Sequence, residues 1–341
     1  SGSESFLGSQ TLLDVSVSVA NASFTDLDLD FSELGGALTW QAFGDIESIL
    51  EFCVYFAAGA DGNQRTLLDT VVAGTNSLMM NEGTALSRKY LLVYAASALQ
   101  EISHPAVVHV LDSRGATGLA FITEDLDMKD IGGILRWRSA EPLSPIVAYT
   151  VFLTFNASNL NASQIGDDVA AGTNQVLVPV NTQRGLYTHF AVYARSALFE
   201  QTTPTVLELD KVPSMYQITS LSMADFDLDK GEIGGKIVWM PAEIVEEVTQ
   251  YLIYMAEDRA GTNRTLLAEV IVGTNAFNVP VDTDLKIYTH ILVHSASVLD
   301  EQRTPVVTSI KDLEARVSDL AFFDQDLDVN EFGGSITWSP P

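Results

Sequence analysis

One segment recurs four times along this chain. DLDLDFSELGGALTW, Asp26 to Trp40, returns as DLDMKDIGGILRW ending at Trp137, as DFDLDKGEIGGKIVW ending at Trp239 and as DQDLDVNEFGGSITW ending at Trp338. The four tryptophans lie roughly 100 residues apart, so the chain is an array of like units, each of domain size. Every copy places carboxylates immediately before a Gly-Gly and an apolar run. A catalytic centre needs to occur once. A chemistry copied into every unit belongs instead to how the units are built or joined.

Other landmarks keep step with the tryptophans. Twelve residues after each come Phe52, Tyr149 and Tyr251, opening the runs FCVYF, YTVFL and YLIYM. GTN follows at Gly74, Gly172 and Gly273, with RTLL before it at Arg65 and Arg264. Then come LLVYAAS, FAVYARS and ILVHSAS, a proline at Pro105, Pro204 and Pro305, and the closing triplets VLD, ELD and IKD. The apolar runs are short, β-branched or aromatic, and punctuated by Gly, Asn, Asp and Pro, which is strand grammar. Leu38 and Trp40, Leu135 and Trp137, Ile237 and Trp239, and Ile336 and Trp338 alternate with Thr39, Arg136 and other residues suited to water. That period of two predicts a half-buried strand. About seven such strands in about 100 residues make a β-sandwich.

A strand ending in Trp, a Tyr-rich strand a dozen residues on, a late VYA-type strand and a proline-led last strand resemble a fibronectin type III domain. The fold class expected is therefore all-β, with tandem seven-stranded immunoglobulin-like or fibronectin-III-like sandwiches in an extended array. The resemblance departs at Tyr187 and Tyr288, which sit one residue out of phase with the core-facing positions, and at Arg88, which replaces them in the first unit. The repeat predicts units over 15–112, 113–210 and 211–312. Residues 313–341 read as the first strands of a fourth unit, and 1–14, ending in LLD, as the last strand of a preceding one.

The acidic loops carry the most specific signal. Aligned on Gly-Gly, they offer Asp26, Asp28, Asp30 and Glu33; Asp125, Asp127 and Asp130, with Thr123 in the first place; Asp225, Asp227, Asp229 and Glu232; and Asp324, Asp326, Asp328 and Glu331. The spacing resembles the calcium loops of EF-hand and thrombospondin type 3 repeats. Oxygen ligands at alternating positions let a tight loop wrap one hard cation that takes six to eight of them. Calcium is the expected cofactor, and a solvated acidic loop without an ion is the competing reading. Zinc is disfavoured because neither His nor Cys accompanies the acids. The Leu, Phe and Met residues between the acids are expected to point into the core of their own unit. Asp112, Asp210 and Asp312 end the last strand of each unit and are expected to reach its acidic loop, tying each sandwich to its exit linker.

Composition sets the remaining limits. The net charge of −27 repels nucleic acid. No run of 18 uncharged apolar residues suggests a membrane span. The single cysteine, Cys53, has no partner for a disulfide within the chain. Glycosylation patterns occur at Asn21, Asn156, Asn161 and Asn263, which with the array point to an extracellular or cell-surface location. His189 and His290 recur without a Ser or Cys nucleophile, so no enzyme is read here. The expected function is a structural segment of a long filament or surface appendage, with copies of itself or neighbouring repeats as partners and surface glycans as a further one. The alternative is the stalk of a giant calcium-dependent adhesin whose ligand-binding domain lies elsewhere.

Overall fold

The computed structural model describes residues 14–139, 145–158, 161–209 and 216–341. Residues 1–13, most of the segment read as a preceding last strand, and Asp210 lie outside the described residues. Among the described residues no α-helix forms, and none is therefore long and apolar enough to cross a membrane.

In repeat 1 the strands are β1 (Val17–Phe24), β2 (Glu33–Gly44), β3 (Glu51–Ala57), β4 (Thr66–Val72), β5 (Ser77–Ala85), β6 (Tyr90–Ala96) and β7 (Ala106–His109). They form two antiparallel sheets, ordered β1-β2-β5 and β4-β3-β6-β7. Three strands facing four in this order is the fibronectin-type-III-like sandwich that the landmarks imply.

Repeat 2 has β8 (Ala116–Ala120), β9 (Asp130–Ser139), β10 (Ile146–Thr154), the short pieces β11 (Ser163–Gln164) and β12 (Val169–Ala170), β13 (Gln175–Gln183), β14 (His189–Ser196) and β15 (Thr205–Glu208). Its sheets run β13-β9-β8 and β11-β10-β14-β15, with β12 also on β10. Repeat 3 restores the first pattern. Its strands are β16 (Thr219–Asp225), β17 (Glu232–Met240), β18 (Gln250–Ala256), β19 (Thr265–Ile271), β20 (Ala276–Asp284), β21 (His290–Ala296) and β22 (Val306–Ser309), ordered β16-β17-β20 and β19-β18-β21-β22. A hairpin of β23 (Ser318–Asp324) and β24 (Gly334–Ser339) follows.

The alternation read from the sequence is what fills the cores. Leu38 and Trp40 are buried and Thr39 is exposed; Leu135 and Trp137 flank an exposed Arg136. Each tryptophan meets the aromatic opening the next strand edge-on, Trp40 to Phe52, Trp137 to Tyr149 and Trp239 to Tyr251, all at 5.3 Å between ring centres. Such a pair adds about 1 kcal/mol beyond its burial. The same alternation in the fourth copy meets no opposing sheet among the described residues, and Ile336 and Trp338 are exposed.

The Gly-Gly pair lies inside the second strand of each unit, and close approach explains it. The second glycine has positive φ, +127° at Gly36 and +148° at Gly133 and Gly235, and a side chain there would collide with the carbonyl of Thr25, Ile122 or Ala224. The first glycine lies against a neighbour's backbone or ring: Val180 at Gly132, Val281 at Gly234 and Phe199 at Gly35. These glycines let the acidic loop fold flat over the sandwich edge.

By internal contact the chain forms two compact units, and the division falls within the second sandwich. One unit joins Leu135–Val176 and Tyr187–Leu209 to repeat 1; the other joins Phe121–Ile134 and Leu177–Leu186 to the chain from Asp210 on.

Gly235→Ala is expected to destabilise by about 3 kcal/mol, from a strained φ and a steric overlap. Gly273→Ala, at φ +95° with nothing within 4 Å, should cost only about 1 kcal/mol. Urea unfolding of the two variants measures the difference; equal losses would mean the Ala224 carbonyl contact is immaterial.

Candidate functional site

Each acidic loop is a ladder of short carboxylates. Aspartate reaches the amide two residues ahead of it, the Asx turn that Glu is too long to make. Asp26 Oδ1 accepts from the N–H of Asp28 (3.2 Å) and Gly35 (3.1 Å), and Asp28 Oδ1 accepts from Asp30 N–H (3.0 Å). In repeat 3, Asp225 accepts from Asp227 and Gly234, and Asp227 from Asp229. Asp324 and Asp326 do the same in the fourth copy. In repeat 2, Thr123 Oγ1 takes the Gly132 N–H at 3.5 Å in place of a carboxylate, while Asp125 accepts from Asp127.

The remaining oxygens reach away from the loop. The second acid takes an amide from the strand alongside: Asp28 from Gly83 (2.7 Å), Asp125 from Asn181 (2.7 Å), Asp227 from Asp282 (2.8 Å). All three donors have positive φ. The first acid takes an amide from the exit linker, Asp26 from Ser113 (2.8 Å) and Asp225 from Leu313 (3.0 Å). Asp112 and Asp312 also touch the loop, accepting from the N–H of Ser32 (3.1 Å) and Gly231 (2.9 Å). Loop and linker thus bind each other in both directions.

In loops 1 and 2 the third acid reaches the next repeat. Asp30 Oδ2 accepts from Thr202 N–H (2.7 Å) and Oγ1 (2.8 Å), and its Oδ1 from Thr203 N–H (2.8 Å). At the equivalent place Asp127 accepts from Arg303 N–H (3.1 Å) and Nε (3.2 Å), and the Arg303 guanidinium also pairs with Asp130. Between second and third acids the leucine points the same way. Leu126 is 3% exposed and belongs to the core cluster of repeat 3 with Tyr216, Ile218 and Val248, and its carbonyl accepts from Gln302 Nε2 at 3.0 Å.

This corrects one expectation. The apolar residues between the acids do not all face their own core. Leu29 and Leu126 are buried, Leu126 in the following sandwich, whereas Phe31, Met128, Phe226 and Leu228 are exposed. Where no complete sandwich follows among the described residues, the equivalent Leu327 is 97% exposed. Alternation alone could not distinguish a residue's own core from its neighbour's.

Burial makes these carboxylates costly unless paired. Asp26, 2% exposed, is pushed up to about 7 by burial, against three amide donors that lower it and the Asp28 charge that raises it. Glu33 is raised by desolvation and by Asp28, Asp30 and Glu82; Glu232 likewise, with Asp282, Asp227 and Asp229 repelling it.

Carboxylate oxygens converge within 4.8 Å in three groups: Asp28, Asp30 and Glu33; Asp227, Asp229, Glu232 and Asp282; and Asp326, Asp328 and Glu331. Among the described residues, Asp26, Asp225 and Asp324, the loop 2 acids Asp125, Asp127 and Asp130, and Asp112 and Asp312 stand outside these groups. Asp282 was not legible beforehand, because its counterparts are Gly83 and Asn181. Neither was Arg303, a single change from Thr202. The four sequon asparagines, Asn21, Asn156, Asn161 and Asn263, are exposed.

The RTLL arginines belong to a separate network on the outer face of the four-stranded sheet. Arg65 lies 4.5 Å from the ring centres of both Tyr55 and Tyr94 and pairs with Glu101 at 2.8 Å. Arg264 stacks on Tyr254 and pairs with Glu301, and where repeat 1 has Tyr94 it meets His294 Nε2 at 3.1 Å. A carbonyl only accepts, so the His294 Nδ1, 2.6 Å from the Gln302 carbonyl, carries a proton, and Nε2, facing a guanidinium that only donates, is the acceptor of a neutral ring. Burial lowers its pKa.

No family model and no curated protein matches the sequence. Solved structures similar in fold include a two-domain fibronectin type III segment of chicken tenascin (12% identity, TM-score 0.25, 57% of this chain and 98% of that one). Others are the FN1–FN3 domains of chicken CNTN1 (13%, 0.29, 87% and 98%) and the central fibronectin-III array of RIM-binding protein (13%, 0.21, 88% and 99%). At these scores the fold assignment rests on the strand order of each sandwich.

His294 stays neutral in the fold below the pH at which an unfolded histidine takes up a proton. Stability should therefore fall as pH drops through about 6.5 toward the lowered folded pKa. His294→Tyr, which supplies the residue of repeat 1, should flatten this segment of the profile. Thermal unfolding of both proteins between pH 5 and 8 tests it; parallel profiles would remove His294 from the account.

Proposed function

We propose that this chain is a structural segment of a long extracellular filament or cell-surface appendage, in which each repeat grips the next and calcium at the acidic loops stiffens the joints. One observation carries the reading: the third acid of a loop takes backbone donors on the following repeat, Asp30 from Thr202 and Thr203 and Asp127 from Arg303. A loop built only to be solvated has no reason to bury its acids in a joint. The exposed sequons support an extracellular setting in which Asn21, Asn156, Asn161 and Asn263 carry glycans.

The case for calcium is chemical. Three carboxylates converge in loop 1 and in the hairpin, and four in loop 3, all of them oxygen donors suited to a hard cation. Asp28, Asp30 and Glu33 would hold it in repeat 1, and Asp227, Asp229, Glu232 and Asp282 in repeat 3. In repeat 2 a fixed cation already stands there, because the Arg303 guanidinium occupies Asp127 and Asp130. That substitution supports the view that these positions want positive charge. Bound calcium would supply electrostatic neutralisation, and the chain's own residues supply the grip.

Calorimetric titration should show calcium binding to loop 1, loop 3 and the hairpin, with loop 2 silent. Arg303→Ala should awaken loop 2 and make repeat 3 cling to repeat 2 only when calcium is present. In small-angle scattering, chelator should shorten the maximum dimension of the wild-type chain. The absence of any binding heat at millimolar calcium would end the calcium reading. Scattering profiles identical with calcium and with chelator would end the stiffening.

A further inference from the structure

Three positions meet at one end of each core, and the repeats fill them differently. The residue two beyond the tryptophan is Ala42, Ser139 or Pro241. The aromatic twelve beyond it is Phe52, Tyr149 or Tyr251, and the asparagine of GTN is Asn76, Asn174 or Asn275. In repeat 1 all three line one open cleft of about 350 Å³, beside Ile49 and Gly74, so the three positions surround a common space.

In repeat 2 a single oxygen bridges that space. Ser139 Oγ donates to Asn174 Oδ1 at 3.1 Å and lies 2.6 Å from the Tyr149 hydroxyl. The serine proton is committed to the asparagine, so the serine oxygen accepts the proton of the tyrosine. Repeat 1 needs no bridge, because Phe52 and Ala42 carry no hydroxyl. Repeat 3 keeps the tyrosine and the asparagine but has a proline where the serine stands. Tyr251 is fully buried, and among the described residues neither its hydroxyl nor the buried Asn275 Oδ1 has a hydrogen-bond partner.

The frame around these two atoms is the same in both repeats. The tryptophan N–H donates to the asparagine carbonyl at 3.1 Å in repeat 2 and 3.2 Å in repeat 3. The Trp and Tyr ring centres stand 5.3 Å apart in each, with interplanar angles of 67° and 70°. Tyr251 and Asn275 therefore flank the place that Ser139 Oγ fills. The tryptophan Nε1 is without a partner in all three repeats, so it does not set repeat 3 apart.

We propose that repeat 3 binds one water molecule between Tyr251 and Asn275, at the place of Ser139 Oγ in repeat 2. Water reproduces the donor and acceptor pattern of the serine hydroxyl: it accepts the Tyr251 proton and donates to Asn275 Oδ1. Two polar partners are enough to hold a buried water. A buried hydroxyl with no partner bears its full desolvation cost, which exceeds what one ordinary hydrogen bond contributes. A phenol and an amide are both neutral, so the site offers no charge to hold an ion in place of water.

A crystal structure of the full chain tests the site directly. An ordered water is expected within about 3 Å of both Tyr251 Oη and Asn275 Oδ1. A direct bond between the two side chains, or no water on either, would overturn the proposal. Pro241 is exposed, and Pro241→Ser should expel the water and place its own hydroxyl on both atoms. A water retained beside the new serine would show that the two sites are not equivalent, and would overturn the proposal too.

Hydrogen exchange of the full chain supplies a test in solution, read at the amides of β18 and β21. Tyr251→Phe is close in shape and puts there the residue that repeat 1 uses. Removing a hydroxyl that has a water partner should lower protection about fivefold, the scale of one lost hydrogen bond. Tyr149→Phe, whose partner is Ser139, should do the same at β10 and β14. Were the Tyr251 hydroxyl unpartnered, its removal would relieve a cost and protection would rise. Raised or unchanged protection in Tyr251→Phe, beside a loss in Tyr149→Phe, would overturn the water.

Discussion

A carboxylate removed from water must be given hydrogen-bond donors or a counter-charge, and the first three acidic loops of this chain are built around meeting that demand. The three aspartates of the first loop are all but inaccessible. Their six oxygens take amides from the loop, the neighbouring strand, the exit linker and the following repeat. Because the donors are backbone groups, they fix positions of main chain rather than side-chain identities. The identities of Gly83, Asn181 and Asp282 can differ while the bond they donate is kept.

The loop is therefore a clasp that holds three things together: its own sandwich, the strand leading out of it, and the next sandwich. The sandwiches draw little of their cores from it, Leu126 in the core of repeat 3 being the exception. Trp40 against Phe52 and Trp239 against Tyr251 hold cores that would form in any domain of this strand order. In the first and second loops the third acid also takes backbone donors of the following repeat. At the second loop the counter-charge is built in from the following repeat, because the Arg303 guanidinium pairs with Asp127 and Asp130.

Much of this was legible in the sequence and the rest was hidden for identifiable reasons. The fold was visible because strand alternation and the tryptophan spacing repeat, so every landmark is read several times. The acidic ladder was visible for the same reason, and so was the tie between Asp112 or Asp312 and its own loop, which strand order alone brings close. What escaped were single occurrences and destinations. Arg303 and Asp282 each appear in one repeat only. Leu126 alternates as a core residue should, and its burial in the neighbouring sandwich is a fact about packing that no periodicity encodes. The inner acid, Asp26, reads as a metal ligand by spacing, yet it is committed to three amides and stands apart from the converging group.

The double attachment of Ser113 and of Thr202–Thr203 to one loop has a mechanical consequence. Tension entering repeat 2 along the backbone arrives at Ser113, already tethered to Asp26, while Asp30 holds the same domain at a second, distant stretch of chain. The load is shared between a covalent path and a lateral one. The three hydrogen bonds of the lateral path all end on the single Asp30 carboxylate, so they are lost together when that side chain leaves. Such a joint yields abruptly at a threshold force and, because its partners stay within reach of each other through the intact linker, it can re-form once the pull relaxes.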